Sequence, residues 1–281
     1  MPSALATFSR EVYRRELLPP RALWWLAAAG MRDWYRVLGK RLQPHLEQDA
    51  KALLAELSVR MFERRRDALA PAIQLQEMRD LGLLMSALYR ADGDAKARWI
   101  FDGVGGAPRG PRETLRARLL LSRLDTKQRW REVATHLGEL LIVLTEDLPA
   151  HLPHARKILD DICFDAGARY ATRVKKMLSL PDEPDDAPRL AMEVLRMSEY
   201  VFQVNPEHWQ ESDGTSGWLE GTACPWWERP GWNGAHCGIF GQFQSGIASV
   251  FGLRYHLTKT IPRHGGHTCR IDVKPIQIRK K

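Results

Sequence analysis

Leu253-Arg254-Tyr255-His256-Leu257-Thr258 and Arg270-Ile271-Asp272-Val273, separated by a segment containing Pro262-Arg263-His264-Gly265-Gly266, decide the fold class of this 281-residue chain. In the first stretch Leu253, Tyr255 and Leu257 alternate with Arg254, His256 and Thr258. In the second, Ile271 and Val273 alternate with Arg270 and Asp272. A period of two reads as half-buried strands. The glycine pair supplies the positive φ of a tight reversal, so the two strands are predicted to pair antiparallel. Trp218 to Ala223 reads as another short strand. The spacing of Cys237, Phe240, Ile247 and Phe251 predicts a helix beginning near Asn233, with Gly241 and Gly246 permitting close packing. Strand, helix and hairpin in this order imply an α+β domain with helices packed on a small antiparallel sheet.

Upstream the period changes to about 3.6 residues. Leu53, Leu54, Leu57 and Met61 form one stripe, Met78, Leu81, Leu84, Met85 and Leu88 a second, and Leu115, Leu119 and Leu120 a third. Trp130, Val133, Leu137, Leu140, Leu141 and Leu144 form a fourth. Breaks fall at Pro19-Pro20, Pro71, the glycine-rich residues 103–110 and Leu148-Pro149. The reading is a helical N-terminal region over 1–150 and an α+β domain over 151–281. The second region opens with helical patterns around Ile158, Leu159 and Ile162 and around Leu190, Val194, Leu195, Met197 and Val201.

Hydrophobic residues at 44% and ten Trp exclude a disordered chain, because burial on that scale offsets the entropy of ordering it. The longest uncharged apolar run, Ala22 to Met31, is half the roughly 20 residues of a membrane-spanning helix. The first twenty residues carry Arg10, Glu11, Arg14, Arg15 and Glu16 and lack the order of a secretory signal, so a cytoplasmic location is expected. The net charge of +8 is scattered among acidic neighbours, without a basic block interleaved with aromatics. That argues against nucleic acid as a partner and for small-molecule substrates. Leu23-Trp24-Trp25-Leu26 beside Arg21, Arg32 and Arg36 predict a helix packed on its own bundle or on a second subunit of a homodimer. The alternative is a basic amphipathic helix lying on a membrane surface, without stable insertion.

Four cysteines in a chain this long are too few for a disulfide framework. Cys163, between Ile162 and Phe164, reads as a core residue. The others fall at informative places: Cys224 before Pro225 at a strand end, Cys237 at the start of the predicted helix, and Cys269 in the last strand. No CxxC pair occurs, so spacing assigns no metal. Zinc is the alternative cofactor should Cys224, Cys237, His267 and Cys269 converge. Cys237 is the candidate nucleophile, because a helix N-terminus and the neighbouring His236 both favour a thiolate. Adjacent helical residues point about 100° apart, so the hairpin offers the better base. His256 falls opposite Asp272, which would orient its imidazole as the third group of a triad does. Trp226, Trp227 and Trp232 are candidate walls for a flat ring, and Arg254 and Arg270 candidate receivers of a carboxylate. Cys224, His236, His267 and Cys269 complete the candidate substrate-binding set.

The order of Cys224-Pro225, His236-Cys237, Phe251-Gly252-Leu253 leading to Leu257-Thr258-Lys259-Thr260, and Gly265-Gly266-His267-Thr268-Cys269-Arg270-Ile271 resembles the L-2-amino-thiazoline-4-carboxylic acid hydrolase family. The resemblance covers roughly Ile158 to Lys274. It implies hydrolytic opening of a small nitrogen- and sulfur-containing ring, or the related cyclisation or condensation of specialised metabolism. The competing class is a non-catalytic small-molecule or zinc-binding module similar to the vinyl-reductase-like ligand-binding domains.

Overall fold

The computed structural model describes residues 4–88, 111–222 and 224–276. The chain divides into two units: Pro20–Ala155 form one, and the chain on either side of that span forms the other. The glycine-rich residues 103–110 lie outside the described residues, as do the side chains of Leu84, Met85 and Leu88.

Helix α1 (Ala4–Arg14) precedes the helical unit, which contains α2 (Pro20–Leu42), α3 (Ala50–Arg65), α4 (Pro71–Leu88), α5 (Pro111–Ser122) and α6 (Thr126–Glu146). Two of these start on aspartates. Asp49 accepts from the Lys51 N–H, and Asp125 forms a reciprocal capping box with Gln128. In α2 the stripe Leu23, Ala27, Met31, Tyr35, Leu38 and Leu42 is buried, so this helix packs on its own bundle, while Trp25 stays 64% exposed. Beneath the stripe the Tyr35 hydroxyl meets Ser58 Oγ at 2.9 Å and His136 Nε2 at 3.1 Å. Burial and the Arg65 charge push His136 down to about 3, so its imidazole is neutral at physiological pH. No described helix is long and apolar enough to cross a membrane.

The second unit is α+β, as the sequence pattern implies. Its elements are α7 (Ala155–Met177), α8 (Ala187–Val201), β1 (His208–Ser212), β2 (Gly217–Gly221), α9 (Gly234–Ser249), β3 (Leu253–Lys259), the one-turn α10 (Ile261–His264) and β4 (Cys269–Pro275). The strands form one antiparallel sheet in the order β1-β2-β4-β3. Edge strand β1 is mostly exposed, and its polar sequence carries no alternation that would announce it. The expected tight turn is instead the helical turn α10, capped by the Thr260 side chain and closed by Gly265 at φ 62°. The expected pairing of His256 with Asp272 is present in the register.

Alternation gives the sheet two unlike faces. Leu219, Leu253, Ile271 and Val273 join Ala171, Val174, Leu190, Val194, Leu195, Ile247 and Ala248 in one core under the helices. Arg254, His256, Arg270 and Asp272 fall on the other face.

The N-terminal segment belongs to this unit, a departure from the expected 1–150 and 151–281 division, because α1 and the turn after it are tied to α8. Arg10 makes a two-pronged ion pair with Glu193, and the Tyr200 hydroxyl donates to the Glu16 and Leu18 carbonyls. Arg196, only 8% exposed, bridges Glu16, Glu199 and the Val204 carbonyl. Arg196→Met removes the counter-charge of buried Glu199 and is expected to cost about 3 kcal/mol. A denaturant titration that finds no shift would remove Arg196 from the scaffold.

Candidate functional site

Three thiols from three separate elements converge on one pocket between helices and sheet. Cys224 follows β2, Cys237 sits in the first turn of α9 and Cys269 opens β4. Around them lie Trp226, Trp232 and Phe240 on one side and Leu219, Leu257 and Ile271 on the other. All four cysteines of the chain are free. The cavity volume is about 50 Å³. At ~10–15 Å³ per water, that is room for about three to five water-sized groups, the bulk of a small ring.

Local sequence explains the placement of Cys237. Asn233 caps α9 by accepting from the Ala235 N–H at 2.9 Å, and its own N–H donates to His236 Nδ1 at 3.0 Å. His236 is fully buried and stacks on Trp232 with ring centroids 5.1 Å apart. It therefore helps fix the helix start and does not line the pocket. Trp226 is also fully buried, held against Trp232 and Phe240 at centroid distances of 5.2 and 5.0 Å.

Each sulfur faces N–H donors. The Trp226 and Trp227 backbone N–H groups lie near Cys224 and the Trp232 indole near Cys237, and Cys269 accepts from the Ile261 N–H at 3.3 Å. Burial nonetheless outweighs these bonds and pushes all three thiols up. At Cys237 burial thus works against the thiolate that a helix N-terminus favours. Among the described residues no group of three or more His, Cys, Asp or Glu side chains is arranged to hold a metal ion.

Polar side chains line part of the pocket, a feature that the sequence pattern alone did not single out. Glu199 is 1% exposed and accepts from Gln244 at 2.8 Å and from Arg196 at 3.1 Å. The Tyr255 hydroxyl donates to Gln244 Oε1. Burial pushes Glu199 up and holds Tyr255 well above the usual phenol range. The signal was present in the sequence, since Glu199 lies four residues after Leu195 and Gln244 three before Ile247, polar residues on apolar helical stripes.

No family model matches the chain, and no curated protein does.

The remaining candidates lie elsewhere. His256 and Asp272 stand on the outer sheet face, opposite the one that α9 covers, so neither serves Cys237. Asp272 instead takes Arg270 at 3.4 Å, and that guanidinium lies 4.4 Å from the Trp218 ring. Arg254, His267 and Trp227 are exposed and line no part of the pocket. For Arg254, His256, Arg270 and Asp272 the physical reason is strand parity: a residue one step from Tyr255 or Ile271 must point away from the core they share.

Proposed function

We propose that the protein is a cysteine-dependent enzyme that opens a small nitrogen- and sulfur-containing ring, with Cys237 as nucleophile. The observation that carries this reading is the convergence of Cys224, Cys237 and Cys269 on one aromatic-walled pocket of ring size. The ordered likeness to the thiazoline-carboxylate hydrolases supplies the reaction class. A reducing, cytoplasmic setting would keep such thiols free.

A thiol pushed up by burial attacks as a neutral group that surrenders its proton to the substrate. The sulfur of Cys237 adds to the C=N carbon of a 2-amino ring while the thiol proton passes to the ring nitrogen. The ring C–N bond then breaks, its electron pair and a proton from the exocyclic amino group going to the departing nitrogen. This leaves a thioimidate on Cys237. Water adds across its C=N bond, and collapse to the carbonyl returns a proton and an electron pair to Cys237 sulfur. The net change is addition of one water. The walls Trp226, Trp232 and Phe240 hold a flat ring and keep bulk water out.

The upward push on the thiols also favours a second reading, a non-catalytic module that binds an apolar ligand. Native alkylation across pH, read by mass spectrometry with and without a chelator, separates the two when run beside turnover of L-2-amino-thiazoline-4-carboxylic acid. Expected is a Cys237 rate that climbs only above the ordinary thiol pKa of about 8.5, ignores the chelator and falls in step with lost turnover. Silence until unfolding would establish the binding module, and reaction only after chelation a zinc site.

A further inference from the structure

Helix α2 has a second side, opposite the stripe that packs on its bundle. Arg21, Trp25, Ala29, Arg32, Arg36 and Lys40 fall within one arc of about 100° around the helix axis. Arg21, Arg36 and Lys40 are exposed and Arg32 is half-buried. Trp25 leaves 64% of its surface in solvent, far more than packing on the bundle would. The one carboxylate of α2, Asp33, stands at the edge of this arc.

The cations of this stripe differ from other surface arginines of the chain. Arg14 pairs with Glu11, Arg60 with Glu56 and Arg64 with Asp147. Among the described residues Arg21, Arg32, Arg36 and Lys40 make no ion pair. From Arg21 to Lys40 the stripe is about 28 Å long, at ~1.5 Å per residue, and its charge has one sign along that whole length. The positive field is thus left without a counter-charge on its own helix side.

We propose that this outward side of α2 docks on an anionic bilayer surface. Headgroup phosphates and carboxylates supply the missing counter-charge, and the straight side of a helix meets a plane along its length. Trp25 suits the headgroup level, with an apolar ring and a polar N–H on one side chain. The buried stripe of α2 stays on the protein, so the contact is peripheral, and no described helix spans the membrane. Other occupants fit less well. Two copies meeting here about a two-fold axis would set cation on cation. A nucleic-acid groove is read by side chains that reach into it, and between Trp25 and Arg32 the stripe offers only alanine.

The test is flotation of the full chain with phosphatidylcholine vesicles containing about 30% phosphatidylserine, beside vesicles of phosphatidylcholine alone. The wild type is expected to float with the anionic vesicles only and to be released by about 0.5 M salt. Arg21→Gln/Arg36→Gln/Lys40→Gln is expected to lower partitioning about 100-fold, at roughly fivefold per cation. Trp25→Ser is expected to lower it about tenfold. Arg21→Lys/Arg36→Lys keeps the charge and should float as the wild type does. Failure of the wild type to float, equal flotation on neutral vesicles, or undiminished flotation of the triple variant overturns the surface. So does loss of flotation in the Lys variant, since a field of headgroups responds to charge and not to guanidinium geometry. Binding of a single-stranded oligonucleotide without flotation, lost in the triple variant, would replace the bilayer with nucleic acid. Dimerisation without flotation, lost in Trp25→Ser, would replace it with a second copy.

Discussion

Cys237→Ala is expected to lower turnover of a 2-amino-thiazoline ring by about 10³-fold or more, because it removes the atom that forms the covalent intermediate. Cys237→Ser should be nearly as inactive, since a buried hydroxyl is a far weaker nucleophile without a dedicated base. Neither change should alter folding much, as the side chain is small and only part-buried. Cys224→Ala and Cys269→Ala are expected to lose less, about tenfold, through altered packing around the ring. His256→Ala and Asp272→Asn should leave turnover unchanged, since both residues occupy the outer sheet face. Steady-state rates on these variants, with thermal midpoints alongside, distinguish the outcomes. Turnover in Cys237→Ala near the wild-type level would exclude this thiol, and a strong loss in His256→Ala would mean that the outer face carries the chemistry.

The strands that decide the fold were legible because their alternation is strict, and the register of His256 with Asp272 followed from the same pattern. The helix after Asn233 was legible through its apolar spacing, and Cys224, Trp226, Trp232, Cys237 and Cys269 do meet in one pocket. The base was not found, and alternation itself explains the error. Cys269 shares its face with Ile271 and Val273, so Arg270 and Asp272, and His256 across from them, must face away. The polar side chains that do line the pocket include Glu199, Asn205, Gln244 and Tyr255. Glu199 and Gln244 interrupt apolar stripes in a way sequence can flag. Asn205, between two segments, carries no periodic signal, and its close approach to Gly221 is one that only the fold reveals.

Burial links the two halves of the site. The aromatic shell that would exclude water from a reacting ring is the same shell that pushes the thiols up. In the proposed reaction a buried Cys237 thiol would give its proton to the ring nitrogen of the substrate.

Gly246→Ala is expected to destabilise the α+β unit by about 5 kcal/mol, at the upper end of single substitutions. A Cβ at this position would sit 2.0 Å from the Phe164 carbonyl oxygen and 2.8 Å from the Ala168 nitrogen. The contact is reciprocal, for a Cβ on Gly167 would fall 1.9 Å from the Phe243 carbonyl oxygen. Here α7 and α9 touch backbone to backbone, each glycine against a carbonyl of the other helix. No rotamer change relieves such a clash; the helices must separate, and α9 carries both Cys237 and Gln244. Gly241 provides the control within the same helix. Its Cβ would rest 3.5 Å from the Tyr255 ring, an ordinary contact, so Gly241→Ala should be neutral or gain up to the ~1 kcal/mol by which alanine favours a helix. Denaturant midpoints of the two variants give the comparison directly. Equal stability would mean that the helices do not cross at the glycines, and the position of Cys237 in the pocket would then need another cause.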